Sequence, residues 1–191
     1  MSQTIPVVGF DPSLNNWGLA KGWYDPGANH LHIDTVDVIN PEFSTGKQVR
    51  QNSKDIERAT ALYHGAFAHS RGIKAVFVEV PVGSQSARAM ASYGICAGVL
   101  GALRAQGIPF FEITPNEVKL ATVGKKTASK QQIIERAVGL YPTANWPMKT
   151  KNGEQVPVAS KAEHMADAIG AIEAGIQLPA FKQLLQFTQA A

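Results

Sequence analysis

The sequence predicts an α/β fold with a mixed five-stranded sheet, in which three antiparallel strands precede parallel strands and helices cover both faces. Three apolar segments separated by turn-forming residues predict an antiparallel meander over residues 5–10, 17–24 and 30–39. Later in the chain, helical patterns alternate with apolar strand patterns, which is typical of parallel strands joined by helices. At 191 residues the chain fits one domain, residues 1–191, with a substantial core.

The middle of the chain alternates helix and strand. Apolar residues recurring on one face predict a helix over residues 47–71, and Gly72 ends it. The strand predicted at Ala75–Val80 is almost wholly apolar, which indicates burial on both faces. A helix rich in small residues follows over residues 86–106, where glycines would allow close packing, and a fifth strand follows over residues 108–113.

The last third of the chain is predicted to be helical apart from one long loop. Thr114, Pro115 and Glu117 supply an N-cap, a first-position proline and a capping box for a short helix. Residues 141–160 contain three prolines and little periodicity, which predicts a loop with functional motion. Within it, Trp146 could stack on a base or anchor the loop by packing, and we favour packing. The remaining elements predicted are a helix over residues 128–140, a helix opened by a capping box at Ser160-Lys161-Ala162-Glu163, and a short helix over residues 180–189.

Composition predicts a cytoplasmic protein. No apolar stretch approaches the roughly 20 residues that a membrane helix needs, so no membrane partner is expected. The N-terminus lacks the order of a signal peptide. The single cysteine, Cys96, has no partner for an internal disulfide and fits an inert core position in a reducing compartment.

Positive charge is concentrated in one segment of the chain. Between Val118 and Lys161 there are eight basic and two acidic residues, so this segment carries +6 while the rest of the chain carries −3. A solvated basic surface is the ordinary explanation of such a run. Next to an acidic centre, however, it favours a polyanionic partner, nucleic acid.

Three carboxylates and one imidazole carry the functional hypothesis. Asp11 and Glu79 each end an apolar strand pattern, and His164 and Asp167 lie three apart on one face of a predicted helix. Taken singly, Asp11 fits an Asx-turn and the His164–Asp167 pair fits a structural contact, whereas a carboxylate in a strand as apolar as that of Glu79 is costly to bury. Together they favour hard divalent cations bound by carboxylate oxygens, which suit phosphodiester hydrolysis.

The order of motifs resembles the RuvC family of Holliday-junction resolvases, of the ribonuclease H-like superfamily. The resemblance spans most of the chain and rests on Gly9-Phe10-Asp11-Pro12, Val78-Glu79, Phe111-Glu112 with Val118-Lys119, Thr122-Val123-Gly124, Ser129-Lys130 and His164-x-x-Asp167-Ala168. It implies a ribonuclease H-like fold, a homodimer, and two Mg²⁺ or Mn²⁺ ions per active site. It further implies resolution of Holliday junctions by paired nicks that leave 5′-phosphate and 3′-hydroxyl ends.

The resemblance also implies roles for individual residues. Asp11, Glu79 and Asp167 match metal-binding carboxylates, and His164 occupies a position where relatives have aspartate or histidine. Lys119 matches a catalytic lysine. The basic segment supplies the expected DNA contacts Lys125, Lys126 and Lys130.

One departure from the family pattern widens the expected substrates. Relatives often place an aromatic residue just after the glutamate, where this chain has Val80-Pro81-Val82. Forks and flaps are therefore also plausible substrates. A non-catalytic scaffold of the same fold that binds branched DNA is the alternative function, and the carboxylate set argues against it. A phosphotransferase of the actin-like superfamily needs two domains and glycine-rich phosphate loops, so no nucleotide cofactor is expected.

Overall fold

The structure of the protein is a computed structural model that describes residues 4–42 and 50–189. The strands are β1 (Ile5–Asp11), β2 (Trp17–Asp25), β3 (His30–Ile39), β4 (Ala75–Glu79), β5 (Phe110–Ile113), β6 (Met148–Lys151) and β7 (Glu154–Pro157). The helices are α1 (Gln51–Ser70), α2 (Ala87–Arg104), α3 (Pro115–Val123), α4 (Lys130–Leu140), α5 (Ala159–Gly175) and α6 (Pro179–Gln189). The first three residues predicted for the first helix, 47–49, lie outside the described residues.

The main sheet confirms the predicted mixed topology. Its five strands run in the order β3-β2-β1-β4-β5. The β1–β2 and β2–β3 pairs are antiparallel, and the β1–β4 and β4–β5 pairs are parallel. Because β1 and β4 are parallel neighbours, both end at the same side of the sheet. This side, where β1 ends at Asp11 and β4 ends at Glu79, is called the carboxyl edge below.

Helices cover both faces of the sheet, as predicted. Side chains of successive strand residues point to opposite faces, so a strand with consecutive apolar residues needs a helix layer on each face. Val7 of β1 belongs to a core with α3, α4, α5 and α6, whereas Val8 belongs to a second core with α1 and α2. Residues Ala75 to Val78 of β4 are all buried, which confirms the prediction of burial on both faces. Cys96 lies in the second core and is 1% exposed, and its burial raises the pKa of the thiol to about 12.

Two glycines allow α5 to lie directly on β1 and β2. A Cβ atom at Gly9 would overlap the carbonyl oxygen of Ala168, and one at Gly18 would overlap the carbonyl oxygen of His164. Helix backbone therefore occupies the space that a side chain would fill at both positions. This contact fixes the distance between α5 and the sheet. It also places the first half of α5 at the carboxyl edge.

Local start and stop signals were predicted with mixed success. The capping box of α3 is present: Thr114 accepts from the Glu117 amide, and the Glu117 carboxylate accepts from the Thr114 amide. The capping box predicted at Ser160–Glu163 is wrong, because α5 begins at Ala159 after Val158 and has no side-chain cap. The Glu163 carboxylate instead reaches Lys130 on α4.

The predicted irregular loop over residues 141–160 is also wrong in part, because it contains the β6–β7 hairpin. Asn152 and Gly153 both have positive φ, 53° and 84°, as the two central residues of a tight hairpin turn require. The strands were missed because β6 is fully exposed, β7 is half-buried only at Val156 and Pro157, and neither strand shows apolar alternation. The favoured packing of Trp146 is confirmed: it is 8% exposed, and its indole nitrogen donates to the Tyr141 carbonyl.

Over residues 4–42 and 50–189, no helix is both long and apolar enough to cross a membrane.

Candidate active site

Strand pairing and helix packing bring four sequence-predicted residues to the carboxyl edge. Phe10 and Val78 are register partners in the parallel β1–β4 pair, so the residues that follow them, Asp11 and Glu79, end adjacent strands. His164 lies over Gly18 of β2, which is the register partner of Asp11. Asp167 is one helical turn further along α5, on the same side as His164.

The shortest contact in the site joins the strand to the helix. The Nδ1 atom of His164 lies 2.6 Å from Oδ2 of Asp11, and the two side chains are 18% and 16% exposed. A distance this short is typical of a charge-assisted hydrogen bond. His164 therefore orients one oxygen of the Asp11 carboxylate.

The carboxylates act on one another electrostatically. Burial raises the pKa of Glu79 to about 8, and the negative charges of Asp167 and Asp11 add to this effect, while Lys119 opposes it. Burial and the charge of Asp11 likewise raise the pKa of Asp167 to about 7. Without a cation, burial and mutual repulsion thus favour the protonated forms of Glu79 and Asp167.

The acidic neighbours also act on the imidazole of His164. Burial lowers the pKa of His164, but the hydrogen bond to Asp11 and the charges of Asp11, Glu163 and Asp167 outweigh it, so the pKa is raised overall. A protonated His164 would place positive charge inside the acidic cluster.

The donor set fits hard divalent cations in its chemistry. Ionised carboxylate oxygens are the ligands such cations prefer, and a cation would offset the burial and the repulsion that raise the pKa of Glu79 and Asp167. As the side chains stand, no three histidine, cysteine, aspartate or glutamate side chains among residues 4–42 and 50–189 are placed to hold one ion. Joint coordination therefore requires these side chains to turn toward each other.

The predicted lysines divide into two groups. The positive charge of Lys119 on α3 lowers the pKa of Glu79. The negative charges of Asp167 and Asp11 help to raise the pKa of Lys130, so both lysines contribute positive charge to the cluster. Lys125 and Lys126 are exposed in the connection between α3 and α4, and neither forms an ion pair within the described part of the chain.

Sequence reasoning missed Glu163. Its carboxylate lies 3.1 Å from the Lys130 ammonium and 3.7 Å from Nε2 of His164. It therefore links α4 to the imidazole that contacts Asp11. Its position next to His164 was the available signal, but the local Ser160–Glu163 pattern assigned it to a helix cap.

Sequence similarity relates the chain to one family of proteins. A family model described as "Crossover junction endodeoxyribonuclease RuvC" matches residues 7–142. A Brucella anthropi protein of the same name is 27% identical over 151 residues, covering 76% of this chain and 81% of that protein.

Solved structures share the fold. Thermus thermophilus RuvC in complex with Holliday junction substrate aligns with a TM-score of 0.62 at 22% identity, covering 89% of this chain and 92% of that one. The yeast mitochondrial Holliday junction resolvase Ydc2 aligns with a TM-score of 0.56 at 16% identity, covering 95% and 85%. The mixed sheet with helices on both faces is therefore the fold of these proteins, as the sequence predicted.

Proposed function

The chain belongs to the RuvC family of crossover junction endodeoxyribonucleases, and from that premise we propose that it is a metal-dependent nuclease that resolves Holliday junctions or other branched DNA. The observation that carries the proposal is the cluster of Asp11, Glu79, Asp167 and His164 at the carboxyl edge. Its three carboxyl groups are suited to binding cations and poorly suited to binding DNA by themselves.

The ligands proposed for two Mg²⁺ or Mn²⁺ ions are Asp11, Glu79, Asp167 and His164. Divalent cations bound there would supply an activated water and stabilise the leaving oxygen in phosphodiester hydrolysis. His164 orients the Asp11 carboxylate through its 2.6 Å contact. The predicted products carry 5′-phosphate and 3′-hydroxyl ends.

Lys119 is proposed to assist the chemistry directly. Its positive charge lowers the pKa of Glu79, which supports a place for its ammonium group near the scissile phosphate. A fixed positive charge there stabilises the negative charge that develops on the phosphoryl oxygens in the transition state.

The DNA is proposed to lie across the basic surface between α3 and α4. Lys125 and Lys126 are exposed there, and Lys130 joins this surface to the acidic cluster through Glu163. Val80-Pro81-Val82 follows Glu79 at the same edge, and Val82 is 82% exposed. Because this aliphatic segment stands where relatives often carry an aromatic residue, forks and flaps are proposed as substrates beside four-way junctions.

Paired nicks require two active sites, and we propose a homodimer formed through α1 and α2. These helices border a largely apolar cavity of about 470 Å³ lined by Ile56, Tyr63, Gly98 and Ala102 among others. Ile56, an apolar residue of α1 that lines this cavity, is 68% exposed. Small exposed residues of α2 would allow a second copy to approach closely.

The remaining assignments follow from the sequence. We propose that residues 1–191 act as one nuclease domain in the cytoplasm of a bacterial or virus-infected cell, without a nucleotide cofactor.

A cleavage assay tests the proposed function. A labelled four-way junction and a linear duplex of matched length are incubated with the protein in Mg²⁺, Mn²⁺ or EDTA, beside Asp11→Asn. We expect paired, metal-dependent nicks in the junction that the variant does not produce. Binding without cutting in both metals would instead favour the non-catalytic scaffold, and equal cutting of the linear duplex would contradict structure selectivity.

A further inference from the structure

The β6–β7 hairpin lies beyond the region matched by the family model, which ends at residue 142. It connects α4 to α5 in the chain and has four residues in each strand. All four residues of β6 are exposed, so the hairpin contributes little to the core. An exposed element of this kind is available for contact with another molecule.

The base of the hairpin is firmly held. The Val158 amide donates to the Pro147 carbonyl at 2.7 Å and closes the base of the hairpin. Just before it, Trp146 is buried, and the Asn145 side-chain oxygen accepts from the Val36 amide of β3. The hairpin therefore presents its side chains from a fixed base on the main sheet, which reduces the conformational entropy lost on binding.

Two lysines stand on one face of β6. Lys149 and Lys151 are two residues apart, so they project to the same side. Both line a cavity of about 410 Å³ between the hairpin and α4. Within the described residues neither ammonium forms an ion pair, whereas Lys130 on α4 is paired with Glu163.

The acidic groups near these lysines are few. Glu154 is the register partner of Lys151 across the hairpin. Glu135 lines the same cavity and accepts a hydrogen bond from Gln131 at 2.8 Å. Counted with Lys161, which is exposed in the first turn of α5, the lysines of the hairpin and the adjoining helix start outnumber Glu135 and Glu154 by one.

The short connection of the hairpin to α5 limits its distance from the acidic cluster. One residue, Val158, separates β7 from the helix that carries His164 and Asp167. From the start of α5 to Asp167 is about 12 Å along the helix, and the five residue steps from Ala159 back to Glu154 add about 17 Å. The far end of β7, opposite Lys151, is thus at most about 29 Å from Asp167, a span of ~8 base steps at about 3.4 Å each.

We infer that the β6–β7 hairpin is a second DNA-binding element, in which Lys149 and Lys151 contact the phosphate backbone of a duplex arm several nucleotides from the cleaved bond. The inference rests on the proposed function and adds a contact outside the cluster and outside the surface formed by Lys125, Lys126 and Lys130. Phosphate is the ligand class because the exposed groups are ammonium ions, which neutralise backbone charge without reading sequence.

Salt-dependent binding of the full-length protein tests this assignment. Affinity for a fluorescent four-way junction is measured in EDTA from about 50 to 300 mM KCl, with the double variant Lys149→Ala/Lys151→Ala. Loss of two phosphate contacts should weaken binding tenfold or more near 100 mM salt and reduce the slope of log K against log salt by about 1.8. The double variant Lys149→Arg/Lys151→Arg should retain both affinity and slope.

The matched control removes two lysines at the opposite side of the sheet, Lys74 before β4 and Lys182 on α6. Lys74→Ala/Lys182→Ala has the same net charge as the hairpin variant, and its affinity should stay within about twofold of the parent. Glu154→Gln, which removes the acid facing Lys151, should tighten binding.

The outcomes separate the two proposals. If the parent protein cuts the junction and the hairpin variant binds like the Lys74→Ala/Lys182→Ala control with the same salt slope, the hairpin assignment is overturned while the proposed function stands. If the parent protein neither binds nor cuts the junction, the proposed function itself fails. Thermal unfolding of each variant confirms that a weakened affinity does not come from loss of the fold.

Discussion

The imidazole of His164 connects to the carboxylate of Asp11 through a 2.6 Å contact that joins residues 153 positions apart in the chain. The contact ties the first half of α5 to the end of β1. It also engages one oxygen of a carboxylate that we propose as a metal ligand. His164 can therefore bind a metal ion itself or orient Asp11. Substitution by aspartate keeps a possible metal ligand at this position, whereas substitution by leucine removes it.

We predict that His164→Asp retains metal-dependent cleavage of a four-way junction within about tenfold of the parent. His164→Leu should lose on the order of 10- to 100-fold or more, because it supplies no ligand and no hydrogen bond to Asp11. Single-turnover cleavage at saturating DNA and metal measures both. Parental rates for His164→Leu would remove His164 from the site.

The elevated pKa of the two buried carboxyl groups predicts how stability changes with pH without metal. A carboxyl group with a higher pKa in the folded chain than in the unfolded chain binds more protons when folded, between those two values. For Glu79 this window runs from 4.5 to about 8, and for Asp167 from 3.8 to about 7. In EDTA, the contribution of these groups to the free energy of unfolding should therefore fall as pH rises from 5 to 8, which urea unfolding at several pH values measures.

Glu79→Gln isolates that effect. Since the amide does not ionise, the variant should be more stable than the parent at pH 8 in EDTA, and the difference should shrink toward pH 5. Addition of Mg²⁺ or Mn²⁺ at pH 8 should stabilise the parent more than the variant, because binding to the folded state raises stability. A parent protein that gains no stability from either metal would contradict the proposed metal site.

Sequence patterns specified the elements of the main sheet because apolar periodicity and turn residues are local. They placed Asp11 and Glu79 at strand ends and His164 and Asp167 on one helix face. The 2.6 Å contact between His164 and Asp11 was not predictable in this way, because spacing along the chain does not encode distance between elements.

The errors have the same origin. Glu163 fits a capping pattern with Ser160, but its partner is Lys130, which lies 33 residues earlier on another helix. The β6–β7 strands carry no apolar alternation, so only the Asn152-Gly153 turn signalled the hairpin. Local periodicity does not predict tertiary contacts between distant residues or strands that are exposed on both faces.

The close packing of α5 on β2 predicts a large effect of a single methyl group. In Gly18→Ala the new Cβ would overlap the His164 carbonyl, so the helix backbone must shift. We expect a loss of about 1–3 kcal/mol in the free energy of unfolding. Cleavage should fall by up to about 100-fold, because a shift of α5 changes the positions of His164 and Asp167 relative to Asp11 and Glu79.

The control for Gly18→Ala is a glycine with open space around it. At Gly139 of α4, an added Cβ would have no neighbouring atom within 4 Å, so Gly139→Ala should leave activity unchanged and stabilise the helix slightly. Urea unfolding and single-turnover cleavage of both variants give the comparison. Equal stability and equal activity of the two variants would show that α5 does not depend on the glycine at position 18.

The exposed face of α1 and α2 predicts the oligomeric state and its consequence for cleavage. Gly98 lies on this face with no neighbouring atom within 4 Å of a Cβ position, so an arginine there fits the single chain but obstructs a second copy. Gly98→Arg should sediment as a monomer and convert paired nicks into single, uncoordinated nicks. Gly139→Arg places the same side chain on α4, away from this face, and should remain dimeric. A parent protein that sediments only as a monomer, or a Gly98→Arg variant that stays dimeric, would move the proposed interface away from α1 and α2.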